Sequence, residues 1–277
     1  MSTVTDERRP LTFVAAAAWT VGMLLFLQVA VSVTEAVRPG ALGDLVNVTF
    51  CHVLAYSTVT FAMLRVHAPE TRVRRVVGFR AVPILALVLA GAVGAGVYPA
   101  LSALDALVAR RFPPSPADIE AMGKLMTAAT LGRRVFLGVA LLAIMPIAEE
   151  IYFRGLVFGG LRRGRSAGLV ILGSAFYFAL ARGDQTSFAS VVALGVVLGW
   201  MRDRTGSIVP TFVAQSAFSA VAVIPILRGR DPVADDVYPR NWLWGALVIA
   251  LLAAALIEWA TRGRRADGGD EGDDVEA

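Results

Sequence analysis

Along this chain polar positions are so sparse that long stretches show no alternation at all. Apolar residues run almost uninterrupted over 11–37, 45–66, 81–108, 135–161, 167–181, 187–200, 207–227 and 241–261, and short segments rich in arginine, proline and glycine separate them. In lipid every backbone N–H and C=O must find its partner within the segment, so such stretches are helices, and roughly 20 residues suffice to cross the hydrocarbon. The pattern predicts an all-α polytopic transmembrane helix bundle of about eight spans. Pro99 predicts a break within the third. The fifth and sixth, cut short by Arg182 and Arg202, have lengths suited to helices sheltered by others. Gly195 and Gly199, four apart, would allow close helix contact in the sixth.

Between the third and fourth spans lies PPSPADIEAMGKLMTAATLG, where Ile119, Met122, Leu125, Met126 and Ala129 recur at helical spacing. This predicts an amphipathic helix, either lying at the outer interface or packed on the end of the bundle.

Composition agrees with a membrane protein: 56% of the 277 residues are hydrophobic and only 17% charged, and mean hydropathy is +0.65. That is too apolar for one soluble domain of this length. The net charge of +4 is a topology signal, because Lys and Arg concentrate on the cytoplasmic side of membrane proteins. With the N-terminus inside, cytoplasmic segments carry Arg8 and Arg9, then Arg65, Arg72, Arg74, Arg75 and Arg80, then Arg162, Arg163 and Arg165, then Arg202 and Arg204, then Arg262, Arg264 and Arg265. The expectation is an integral protein of the plasma membrane with both termini cytoplasmic. The first span exceeds a signal-peptide core and is expected to stay as an anchor. No nucleic-acid-binding motif accompanies the basic charge, so nucleic acid is excluded as a partner and the lipid bilayer is the expected one. Cys51 is the single cysteine, which rules out an intrachain disulfide. The chain divides into a cytoplasmic N-terminus at 1–10, one transmembrane domain at 11–265, and an acidic, Gly-rich tail at 266–277 expected to be disordered.

The fourth span contains PIAEEIYFRG, with Glu149, Glu150 and Arg154 amid apolar neighbours. An ionisable side chain at the bilayer centre costs roughly 2.5–3.5 kcal/mol on insertion scales, so three together face protein or a water-filled cavity. On a helix Glu150 and Arg154, four apart, are neighbours able to form an ion pair, while Glu149 turns about 100° away. The same pair would also serve as a purely structural clasp.

EEIYFR resembles the EExxxR motif of the CAAX prenyl endopeptidase and bacteriocin-processing (CPBP, or Abi) family of intramembrane proteases. The likeness covers about 135–220 and continues in FYFALAR and in the segment around Gln215. It implies that Glu149 activates the attacking water, with Glu150 and Arg154 as support. The family's second motif, FxxxH, falls on Phe178 and Arg182. Its third, HxxxN or a close variant, falls on Gln215 and Ser219. The motif histidines are therefore replaced, and Arg182, Gln215 and Ser219 stand in their places.

Guanidinium cannot coordinate a metal and a Gln oxygen is a poor ligand, so neither a metal nor another cofactor is expected. The two histidines, His52 and His67, match no motif position. His52 reads as a buried polar contact and His67 as a solvated loop residue. Arg182 reads as an arginine reaching for the interface or pairing with Asp184, and Gln215 and Ser219 as hydrogen-bonding glue between helices. The implied function is a family member with impaired or absent peptidase activity. Two alternatives stay open: an active, metal-independent glutamate endopeptidase with Glu149 as base, and, more weakly, a small proton-coupled transporter. Candidate partners besides lipid are a peptide or prenylated peptide substrate and a membrane protein.

Overall fold

A computed structural model of the chain describes residues 11–69, 73–127, 130–229 and 239–267. Arg8, Arg9, Arg72, Ala129 and the tail from 268 onward lie outside the described residues.

All eight expected spans are helical: α1 (Phe13–Val37), α2 (Leu45–His67), α4 (Ile84–Arg111), α6 (Leu131–Leu161), α7 (Ala167–Arg182), α8 (Phe188–Thr205), α9 (Ile208–Leu227) and α10 (Arg240–Asp267). Two shorter helices intervene, α3 (Val73–Val77) and α5 (Pro116–Met126). Among the described residues, six helices are long and apolar enough to cross a membrane on their own, and α7 is a shorter apolar one. The last helix continues to Asp267, two residues into the stretch read as tail.

One expectation is overturned by packing. Pro99 does not break its helix, which runs unbroken from Ile84 to Arg111 with the proline ring buried. Proline deletes one donor, whereas breaking the helix would leave several groups bare in an apolar medium, and neighbours on both sides of α4 hold it straight. Those neighbours come close because Gly94 faces the carbonyl of Ala214 on α9 and Gly96 faces Ala246 and Ala250 on α10, where a Cβ would collide. Helix α5 begins with a capping box: Ser115 Oγ accepts from the Asp118 N–H at 3.2 Å, and Asp118 Oδ2 accepts from the Ser115 N–H at 3.3 Å. None of its residues is buried, and Ile119 and Met122 are exposed. The stripe is divided, since Met126 at its end packs with the cluster of Leu45, Leu137, Ala140 and Val223 while Ile119 and Met122 face outward.

Helix α6 occupies the centre, touching α2, α7 and α9. It is not a uniform α-helix, since Ala140–Ile144 and Ile151–Val157 are π-helical and Met145–Glu150 between them is α-helical. Pro146 lacks the N–H that would close the preceding turn, and a wider turn is one way to accommodate its ring. Within the second π segment the Arg154 carbonyl accepts a hydrogen bond from Arg202 Nε on α8 at 3.1 Å. The GxxxG pair of α8 packs on α7, as its spacing suggests: a Cβ at Gly195 would lie 2.8 Å from the Ala175 Cα, and one at Gly199 3.3 Å from Ile171.

Candidate active site

Four buried side chains carry charge or amide groups, Glu149, Glu150 and Arg154 on α6 and Gln215 on α9, and the more exposed Arg182 at the end of α7 joins them. Their exposures are 4% for Glu149, 1% for Arg154 and 0% for Glu150 and Gln215, while the Arg182 side chain keeps 39%. They sort into two groups, each with a guanidinium against the Phe178 ring.

In the first, Arg154 Nη1 lies 2.9 Å from Glu150 Oε1, the expected pair four residues apart. The guanidinium N–H bonds do not line up on the carboxylate oxygens, so charge rather than aligned hydrogen bonds holds this pair. The Arg154 guanidinium also stacks over the Phe178 ring, 4.2 Å from its centroid.

In the second, Glu149 Oε2 accepts from Arg182 Nη2 at 2.7 Å and from Gln215 Nε2 at 2.5 Å. Arg182 also lies over Phe178, 5.2 Å from the centroid. One aromatic ring thus meets two guanidiniums, each with its own carboxylate. Arg182 pairs with Glu149 and not with Asp184, because a buried carboxylate within reach is the stronger partner. Asp184 instead accepts from the Thr186 hydroxyl and amide and from the Ser187 hydroxyl. Partial burial pushes the Asp184 carboxyl up, but those donors together outweigh it and hold the group below its ordinary value. Gln215 likewise does more than join helices, since its amide ends on the carboxylate.

The other oxygen of Glu149 meets a group the motif reading passed over. His52 Nε2, from α2, is 3.7 Å from Glu149 Oε1. The imidazole stacks on Tyr56 one helical turn further along, with centroids 4.3 Å apart. His67 is not a solvated loop residue either: it ends α2 and accepts a hydrogen bond from Trp19 Nε1 on α1 at 3.1 Å. Only one sequence signal could have marked His52, namely a histidine inside an apolar span, where an ionisable group is costly without a partner.

These groups border a cavity of about 410 Å³ whose walls include His52, Tyr56, Pro146, Glu149, Arg182 and Ser219. Ser219 lies on that wall one turn beyond Gln215. Apolar residues from α1, α6, α7 and α9 complete it, so the polar atoms converge on an otherwise apolar wall.

Residues 131–221 match the family model described as Rce1-like, type II CAAX prenyl endopeptidase. No curated protein and no solved structure matches the chain. The Rce1-like segment takes in α6, α7, α8 and the larger part of α9, and with them Glu149, Glu150, Arg154, Phe178, Arg182, Gln215 and Ser219. His52 lies outside it. Metal ligation fits these residues poorly. A cation beside Glu149 would meet the Arg182 guanidinium on the same oxygen, and the remaining donors are one imidazole and one amide. Among the described residues no group of three or more His, Cys, Asp or Glu could hold a metal ion.

Proposed function

We propose that this Rce1-like membrane protein hydrolyses peptide bonds within the bilayer, with Glu149 as the base that activates water and no resident metal. The observation that carries this reading is the division of labour at the Glu149 carboxylate. Oε2 is fixed by Arg182 and Gln215, while Oε1 is presented to the cavity and to an imidazole. A general base needs a fixed orientation and one accessible oxygen, and this arrangement supplies both. The guanidinium of Arg182, the amide of Gln215 and the hydroxyl of Ser219 are donors able to stabilise the oxyanion that forms on the attacked carbonyl. Substrates would be peptides, prenylated ones included, that enter the cavity from the lipid. The protein resides in the plasma membrane with both termini in the cytoplasm.

The purified protein in detergent is expected to cleave a prenylated peptide or a generic quenched fluorescent peptide, with no response to chelator and no cleavage by Glu149→Gln. Cleavage that persists in Glu149→Gln sinks the assignment of the base. A native protein that cleaves neither peptide favours the second reading, a catalytically silent member. The observation behind that reading is that both contacts on Oε2 also satisfy a purely structural clasp. The variant Arg182→His, Gln215→His, Ser219→Asn would then gain activity if only side chains stand between this bundle and a working site.

A further inference from the structure

A histidine nitrogen approaches the Glu149 carboxylate without satisfying either group. At 3.7 Å the gap between His52 Nε2 and Glu149 Oε1 is too long for a direct hydrogen bond. Nε2 is buried and has no hydrogen-bond partner, and Gln215 Oε1 beside the same carboxylate is in the same condition. Two polar atoms at this separation admit one water at the apex of the triangle they form, about 2.8 Å from each. The site borders the cavity, so such a water faces any peptide carbonyl placed there.

We infer that His52 is a second catalytic group of the site, gripping with Glu149 the water that attacks the peptide bond. The inference rests on the hydrolase reading above. The imidazole carries its proton on Nδ1, so Nε2 accepts one water hydrogen while Glu149 Oε1 accepts the other. An oxygen lone pair is left pointing into the cavity. As that oxygen bonds to the carbonyl carbon, the carbonyl π pair moves onto its own oxygen and one water proton passes to Glu149 Oε1. Collapse of the adduct breaks the C–N bond, and the leaving nitrogen takes the proton back from Glu149. The second water hydrogen stays on the new carboxylic acid, so atoms and charge balance with no other reactant.

His52 is suited to this because its ring cannot swing freely. Tyr56 stacks on it from the same helix, nearly parallel with an interplanar angle of 21°, and Tyr56 is itself braced edge-on by Tyr152 and Phe153. The groups of ionisable character that face the imidazole are Glu149 from α6, Arg182 from α7 and Tyr56 from α2 itself. From α1 the cavity receives only Leu27, and from α9 only Phe218, Ser219, Ala222 and Val223.

Two measurements test this. In the first, His52→Phe preserves a ring on Tyr56 but removes both nitrogens, and kcat should fall about 100-fold or more, the usual weight of a positioned acid–base group. His52→Gln restores an acceptor and should regain part of that loss. Native kcat in His52→Phe, with Glu149→Gln inactive, overturns the role of His52 while leaving the hydrolase reading intact. In the second, the protein is labelled with ¹⁵N-histidine, which gives signals from only two residues, His52 and His67, assigned through His52→Phe. Glu149→Gln should move the titration midpoint of His52 by more than half a pH unit and leave His67 in place. An unmoved His52 overturns the shared water whatever the activity. Should the native protein cleave no peptide, the hydrolase reading fails, and this second measurement alone decides whether the two groups form one hydrated pair.

Discussion

Arg182 ends its helix beside solvent-facing loop residues, yet its guanidinium turns inward to meet Glu149 at 2.7 Å. Removing it leaves the carboxylate with Gln215 and the more distant His52. Arg182→Leu should therefore destabilise the protein in detergent, though solvent reaches this side chain and screens the pair, so the coupling should be modest, about 1 kcal/mol. A double-mutant cycle of thermal unfolding with Glu149→Gln measures it. If Arg182→Leu lowers stability equally in both backgrounds, the contact contributes nothing.

The other ion pair should behave more sharply. Glu150 and Arg154 are shut away from solvent on both sides, and breaking a buried pair by deleting one partner typically costs about 3–5 kcal/mol. Arg154→Leu is expected to lose more folded protein than Arg154→Leu combined with Glu150→Leu. Monodisperse yield by size-exclusion chromatography reads this directly, and equal losses would mean that the charges do not compensate each other.

Gly94 gives a prediction about position rather than charge. A Cβ there would overlap the Ala214 carbonyl, so Gly94→Val must push α9 away from α4. The next residue on α9 is Gln215, whose amide would leave Glu149. Gly94→Val is expected to lower thermal stability and to abolish any cleavage, whereas Gly22→Val, at a position with nothing within 4 Å, leaves both intact. Matching behaviour of the two variants would refute a role for this close approach.

Topology is testable without activity. The arginine-rich segments Arg74–Arg80 and Arg162–Arg165 face inward if both termini are cytoplasmic. Alkaline phosphatase fused at the C-terminus should then be inactive, and green fluorescent protein at the same place bright. Robust phosphatase activity would reverse the orientation.

Much of this was readable in advance. Hydropathy alone located all eight helices to within a few residues, because a bilayer leaves a chain little choice of secondary structure. The spacing of Ile119, Met122, Leu125 and Met126 likewise announced α5, though not the cap at Ser115 and Asp118. Motif positions brought Glu149, Phe178, Arg182 and Gln215 to one place. What stayed hidden depended on contacts between distant segments. His52 has no local pattern around it, and only the packing of α2 on α6 brings it to Glu149. Pro99 was misread because the rule that proline ends a helix describes a chain in water, not one clamped by two neighbours. The π-helical turns of α6 leave the apolar pattern unchanged and so left no trace in it.

The absent side chain at Gly195 has a mechanical consequence. With the Ala175 Cα only 2.8 Å from where a Cβ would be, α7 and α8 pack backbone against backbone over that stretch. They form a two-helix plate, and Phe178 and Arg182 ride on it. The opposite wall of the cavity is thinner, for α1 contributes only Leu27 to it. Under the proposed function, room for a peptide is more easily made on the side of α1 than on that of the plate.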